Sequence, residues 1–506
     1  MLSKSKILVL SVLAGALYPF GFAPFSWWPL SVVSVAIIFY LWNRASRGTA
    51  LWSAGFYGMS VYGVGVSWVY VSMVNFGNMQ PIMAIIAVIL FALFLSLYFI
   101  VPVFIFKLLA PQLSERYRLT VLLPVLWVIF EWLRGTLFTG FAWLYLGYVG
   151  VDTWFSAWGT IAGVSAVSLV FTFFAGVLAY VYQVRGGPSL TFALAAVLLV
   201  VLSWGLHLIR WAEQSGPPLN VALVQANVPL AEKWLPQNRE NLMQTYLAAS
   251  RTIENAEVIV WPEAALPMFL DQVPPGYLAE LSGLENSLVF GAVDRSDMGP
   301  DANLYNSLVV MDRTGLNEEV IQTYKKRHLV PFGEFFPLQS LLGWIFKSFE
   351  IPMSNFSSGG SSQGNLSISG VRMVPTICYE DAYPEDWRRQ IADSHMILNI
   401  SEDAWFGDSL APHQRLQMAR MRAIEFQRPV IRASNSGLST IIDGYGRVDA
   451  ISPQFEADIF SAAVVPMQGE TPYVKFGQWP LWVWMVLSLI YAFLRTRSRT
   501  TWKAHK

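Results

Sequence analysis

The stretch VPTICYEDAYP, residues 374–384, decides how the water-soluble part of this chain folds. An apolar run of strand character stops abruptly at Cys378, Tyr379, Glu380 and Asp381. Such a run reads as a buried strand that delivers its last residues to the edge of a sheet. In open α/β sheets, sites collect at the carboxyl ends of the strands. A single cysteine is by default a small buried hydrophobe. Cys378 therefore becomes a candidate nucleophile only through its company.

That company lies upstream. EVIVWPEAALP (257–267) is a second β-rich apolar run, and it ends in a turn that carries Glu263. A carboxylate just past a buried strand can serve as a general base, although a solvated turn residue would look the same. TYKKRHLVPFGEFFP (323–337) supplies Lys326. A lysine ammonium can hold an oxyanion and keep a nearby thiol ionised. The plainer reading of Lys325, Lys326 and Arg327 is a solvated basic turn; His328 could act as a base, but beside Leu329 it reads rather as a structural histidine.

Around these words, strands are expected at 219–228, 287–293, 306–312, 370–378, 395–400, 430–434 and 438–443. Helical patterns fall near 238–253, 274–284, 384–394 and 412–427. Alternating strands and helices predict an α/β sheet with helices packed on it. FSSGGSSQGN (356–365) is a flexible loop by composition. LLGWIFKSFE (341–350) reads equally as a buried helix or as a lid that touches lipid.

The rest of the chain is of another kind. Its 506 residues exceed one ordinary soluble domain. It is 54% hydrophobic and only 13% charged, where soluble proteins carry about a quarter. Of 68 charged residues, 13 lie among the first 212. Apolar segments there predict spans near 7–22, 27–43, 51–73, 82–107, 118–135, 161–183 and 190–209, with an eighth near 477–494. The first follows Lys4 and Lys6, as a signal peptide would. It lacks a small-x-small cleavage site, so an uncleaved helix is expected.

With the N-terminus in the cytoplasm, 13 Lys and Arg fall on the inner side and two on the outer. The positive-inside rule then puts residues 213–476 outside the cytoplasm. Residues 136–160 form an aromatic-rich outer loop, expected at the membrane–water interface. Glu131 and Arg134, just before it, are expected to snorkel or to contact a lipid headgroup.

Several classes drop out. No basic field suits a nucleic acid. One cysteine excludes an intramolecular disulfide and multi-cysteine zinc sites. The five histidines show no ligand spacing on one helix face, and there is no Gly-rich phosphate loop or nucleotide fingerprint.

The order Glu263, Lys326, Cys378 comes in specific words: Pro262-Glu263, Tyr324-x-Lys326-x-His328-Leu329 and Cys378-Tyr379-Glu380. These resemble the nitrilase superfamily, which uses a Glu–Lys–Cys triad on an α–β–β–α sandwich. WPEAALP, HLVPFGEFFPL, ICYED and NISEDAWFGDSLAPHQRLQMARMRAIEFQRPVIRASNSGLS (399–439), set between a seventh and an eighth span, narrow the likeness. The whole chain resembles the apolipoprotein N-acyltransferases of Gram-negative bacteria.

The resemblance implies a polytopic α-helical membrane domain of about eight spans plus an extracytoplasmic α/β sandwich. The expected boundaries are a membrane domain at 1–212 and a periplasmic catalytic domain at 213–470. The eighth span and a basic cytoplasmic tail follow at 471–506. It also implies the inner membrane as location, with both termini cytoplasmic. The implied reaction moves an acyl chain from a phospholipid, through a Cys378 thioester, to the α-amino group of an S-diacylglyceryl cysteine. Glu263 would be the base, Lys326 the oxyanion cation and Cys378 the nucleophile. Glu334, Tyr379, Glu380, Trp234 and Asn306 would support or line the site, and Asn435-Ser436-Gly437 would turn near it. No metal or organic cofactor is called for, because the donor is already an ester. The rival readings are a membrane-tethered amidase with water as acceptor, and a non-enzymatic transporter or lipid-binding protein.

Overall fold

The computed structural model describes residues 2–184, 190–299, 302–313, 319–335 and 355–503. The expected lid at 341–350 lies outside them. The chain divides into two compact units. One is Met1–Ile209 with Asp408–Gln417 and Lys475–Lys506; the other is Arg210–Gly407 with Met418–Val474.

The first unit is helical. Among the described residues, three of its helices are long and apolar enough to cross a membrane: Pro81–Gln112, Val164–Val184 and Trp479–Thr496. Arg47–Gly65 and Trp68–Phe76, bent by 54°, make a fourth if taken together. The remaining expected spans also fall on helical segments, Lys4–Leu17, Trp28–Arg44, Leu123–Arg134 and Leu190–His207. Lys4–Leu17 is short because the prolines after it break the helix: Pro19 opens a 3-10 turn and Pro29 starts the next helix.

Small residues let these helices approach. A Cβ on Gly15 would come within 2.5 Å of Tyr57 O, and Ser11 Oγ lies 2.6 Å from Ser53 Oγ. Close backbones at glycine and serine are the usual contact between apolar helices, where lipid removes the hydrophobic drive to associate. Between them Trp127 packs against Tyr18, Phe39, Trp42, Tyr57 and Phe99.

Two expectations change here. Glu131 and Arg134 neither snorkel nor face outward: both are buried. Glu131 Oε1 accepts from Trp127 Nε1 (2.9 Å) and from Leu146 N (2.8 Å). Arg134 donates to Tyr62 Oη (2.6 Å) and to Leu144 O. The pair clamps segment 144–146 to the helix, so its charge is spent on backbone and phenol partners. Part of the aromatic loop likewise turns inward: Trp143 and Tyr148 are buried, and Trp143 Nε1 donates to Gln414 Oε1 (2.6 Å).

Among the described residues the second unit holds a two-stranded sheet, Ala212–Gln214 with Met467–Gly469, and two large facing sheets. One runs Asp458–Val464, Leu219–Gln225, Val258–Val260, Ser287–Arg295, Leu304–Arg313, Glu319–Lys325, with Leu266–Phe269 also paired to Ser287–Arg295. The other runs Val448–Ile451, Thr440–Ile442, Val430–Ser434, Met396–Ser401, Val371–Ile377, Leu366–Ile368. Their central strands are parallel and buried on both faces, which is why they read as unbroken apolar runs.

One core cluster joins Val221, Leu223, Val260 and Val310 of the first sheet to Ile377, Leu398, Ile400 and Ile431 of the second. The outer face of the first sheet is covered by Arg239–Arg251 and Pro275–Ser282, through Leu242, Tyr246, Leu247 and Tyr277. The helical pattern expected at 384–394 folds instead as two 3-10 turns, Pro384–Asp386 and Arg388–Asp393. Trp387, at φ −135°, interrupts any continuous helix there.

Candidate active site

Glu263, Lys326 and Cys378 each follow the last residue of a strand, within three positions. Cys378 comes directly after Val371–Ile377 and takes a φ of +52°. A non-glycine residue in that region is held there at a cost of order 1–3 kcal/mol. It turns the chain sharply from strand to 3-10 turn and leaves the cysteine partly exposed.

Glu380 holds this turn from below. Its Oε2 accepts from Ile377 N (2.7 Å), its Oε1 accepts from Arg327 N (2.7 Å) and His328 N (3.0 Å), and Tyr324 Oη donates to both oxygens (3.0 Å). Burial pushes its carboxyl above the usual range, and those N–H donors draw it partly back. Glu380 thus ties the cysteine turn to the segment that carries Lys326.

The carboxylate of Glu263 is placed by a close backbone approach. A Cβ on Gly291 would lie 2.3 Å from Ala264 N and 2.7 Å from Glu263 Cα, and Ala264 itself has φ +48°. Gly291→Ala should therefore push the Glu263 turn away. The expected result is a loss of stability of about 1–3 kcal/mol, with activity falling further than stability. A thermal melt beside an activity assay checks both; an unchanged activity would show that the close approach does not position Glu263.

Asn306, which is buried, and Glu334, which is partly buried, complete a polar cluster. Asn306 Nδ2 donates to Glu263 Oε1 (2.6 Å) and Glu334 Oε1 (2.9 Å). Lys326 Nζ donates to Glu334 Oε1 (2.8 Å) and stands 3.8 Å from Glu263 Oε1. Glu334 Oε2 accepts from Val330 N (2.8 Å). Burial draws the lysine's pKa down, but Glu334, Glu263 and Cys378 outweigh it and hold Lys326 above its usual value. It stays an ammonium. The second oxygen of Glu263, Oε2, is buried and makes no hydrogen bond among the described residues.

The neighbours separate on chemistry. Lys325 points elsewhere, to Asp294 Oδ2 (2.8 Å) and the ring of Tyr305, as alternation along a strand requires. His328 stacks on Tyr383 at 3.6 Å and meets Asp386 Oδ2 at 3.1 Å, a structural role. Tyr379 Oη accepts from Tyr383 Oη (2.7 Å). The glycine- and serine-rich loop is tied down: Gly359 N donates to Lys326 O, and Lys325 N donates to Gln363 Oε1.

This arrangement carries a thiol, a cation and a half-open carboxylate on one α/β unit. Two family models match the chain: "Apolipoprotein N-acyltransferase N-terminal domain" over residues 14–177 and "Carbon-nitrogen hydrolase" over 220–473. The apolipoprotein N-acyltransferase of Vibrio vulnificus is 35% identical over 97% of this chain and 97% of its own. That of Vibrio cholerae is 36% identical over 96% of each, and that of Pseudomonas putida 35% over 97% of each. The chain belongs to the apolipoprotein N-acyltransferase family.

The second unit is accordingly the carbon–nitrogen hydrolase fold of such an acyltransferase; Pro81–Gln112 and most of Val164–Val184 lie in the part matched by the family's N-terminal model, and Trp479–Thr496 lies beyond both matches. Trp234 is partly buried, one residue past the helical turn Leu230–Lys233. Two residues bonded to this cluster, Lys233 and Glu402, had no sequence signal of their own. Lys233, beside Trp234, is buried, and its Nζ donates to Glu402 Oε2 (2.6 Å) and to Glu263 O (2.9 Å). Only their adjacency to Trp234 and to the SEDAW word hinted at them. Asn435 lies in the expected turn, and its Nδ2 donates to Glu402 Oε1 (3.3 Å) and Val228 O (2.8 Å).

Proposed function

We propose that this acyltransferase moves a fatty acyl chain from a phospholipid to the α-amino group of an S-diacylglyceryl cysteine, in two steps on Cys378. Glu263 accepts the thiol proton, and the thiolate attacks the ester carbonyl of the phospholipid. Lys326 holds the oxyanion with its fixed positive charge. The tetrahedral intermediate expels the lysophospholipid, whose oxygen takes the proton from Glu263. The acceptor amine then attacks the thioester and gives a proton to Glu263, and Cys378 leaves. Splitting the transfer through a covalent intermediate replaces one hard displacement with two easier ones.

The observation that carries this reading is the state of Glu263. Asn306 fixes Oε1, which stands 3.8 Å from the Lys326 ammonium, while Oε2 is buried with no hydrogen bond among the described residues, and the same ammonium interacts with Cys378. Asn306 and Glu334 orient the base and the cation, Glu380 holds the turn, and Tyr379 and Trp234 line the approach. The membrane arrangement that goes with it has eight spans, seven in 1–212 and the last in 471–506. The 213–470 domain works at the outer face of the inner membrane, with both termini in the cytoplasm. There the bilayer brings both lipid substrates to one site and disfavours water.

The test uses purified protein in detergent with phospholipid and a diacylglyceryl peptide. Expected are an acyl mass on Cys378 that hydroxylamine removes, then its movement to the peptide amine faster than to water. Release of free fatty acid at the same rate with and without peptide would make the protein a hydrolase.

A further inference from the structure

We infer that Lys233 and Glu402 form a positioning pair that sets the place and charge of the Glu263 base. This rests on the proposed role of Glu263. Both side chains are almost fully buried, at 1% and 4% exposure, and 169 residues separate them. A buried ion pair gives little net stability, since desolvation offsets the attraction. Its geometry offers another reason for it.

Lys233 Nζ grips the backbone oxygen of Glu263 at 2.9 Å and Glu402 Oε2 at 2.6 Å. Glu402 Oε1 accepts from Ala404 N (3.2 Å) and from Asn435 Nδ2 (3.3 Å). Asn435 also bonds both the N–H and the C=O of Val228. Four segments that follow parallel strands are joined at this one pair: 226–234, 261–265, 402–406 and 435–437. The first ends in Trp234, and the second carries the base.

The pair also balances charge near Glu263. Lys326, Glu334 and Cys378 act on the Glu263 side of the cluster. Lys233 draws the buried Glu402 carboxyl down and Glu263 pushes it up, and Glu402 in turn raises Tyr246. Glu402 alone would add a negative charge behind the base, and Lys233 cancels it. Opposite changes should therefore follow from removing either partner.

The experiment compares full-length Lys233→Met, Glu402→Gln and Lys233→Met/Glu402→Leu proteins in detergent. Two readouts are used: the rate of Cys378 alkylation by iodoacetamide against pH, which needs no lipid, and the rate of acylation by phospholipid. Lys233→Met should shift the alkylation profile to higher pH, and Glu402→Gln should shift it to lower pH. The double variant replaces a buried ion pair by apolar groups, so it should melt close to wild type, yet acylate at least about tenfold more slowly.

If Lys233→Met does not fold, the double variant and Glu402→Gln carry the test. A double variant that acylates at the wild-type rate, or profiles that do not move, would overturn the inference and leave the pair structural. Failure of the acyl-transfer reading is seen separately, as a wild-type protein that alkylates but never acylates.

Discussion

Cys378→Ser is expected to give no acyl adduct on incubation with phospholipid and to lose at least ~10⁴-fold in turnover, on the scale seen when a triad nucleophile is removed. The reason is the match between nucleophile and base. A thiol has an ordinary pKa of about 8.5, within reach of a carboxylate aided by a neighbouring ammonium. A serine hydroxyl is far less acidic, and Glu263 cannot deprotonate it usefully. The substitution is nearly isosteric, and the left-handed conformation at 378 comes from the turn that Glu380 holds. The variant should therefore melt close to wild type. Intact-protein mass spectrometry reads the adduct, and hydroxylamine lability distinguishes a thioester from an oxyester. A Cys378→Ser protein that still accumulates one hydroxylamine-labile acyl group would place the nucleophile elsewhere.

Much of this site was legible because strand ends announce themselves. Ile377-Cys378 and Val260-Trp261-Pro262-Glu263 are apolar runs that stop at a polar residue, and a buried parallel strand must read that way. Lys326 was separable from Lys325 only by its surrounding word; the strand's alternation supplies the physical reason, one lysine turning to Asp294 and the other into the cluster.

What stayed hidden is what depends on distant partners. Lys233 and Glu402 look like surface charges until folding sets them 2.6 Å apart. Glu131 and Arg134 look like residues at the end of a span, because hydropathy records a charge and not the phenol and backbone groups that receive it. The stretch 408–417 reads as the start of a soluble helix. It clusters with the helical unit, where Gln414 meets Trp143 and Gly65 and Gln417 Oε1 accepts from Ala23 N. Its glutamines carry no apolar signal that would have assigned it there.

Lys326→Met should have the second large effect, and it should show in both rate and stability. Lys326 is the cation between a partly buried carboxylate, Glu334 at 2.8 Å, and a buried one, Glu263 at 3.8 Å. Its removal takes away the charge that meets the oxyanion, worth on the order of 10²–10³ in acylation rate. It also strands the carboxylates, and an unpaired buried charge costs about 3–5 kcal/mol. The pH dependence has a definite sign. The folded pKa of Lys326 is raised. Its stabilisation is therefore full below the ordinary lysine value of about 10.4 and is lost only as pH climbs through the higher folded value. At neutral pH the whole deficit of the variant is expressed. Lys325→Met is the control: that lysine's partly exposed pairing with Asp294 should be worth under about 1 kcal/mol, and acylation should continue. A Lys326→Met protein that acylates normally while Lys325→Met does not would reverse the assignment, because the partly exposed lysine would then be the one that reaches the carbonyl.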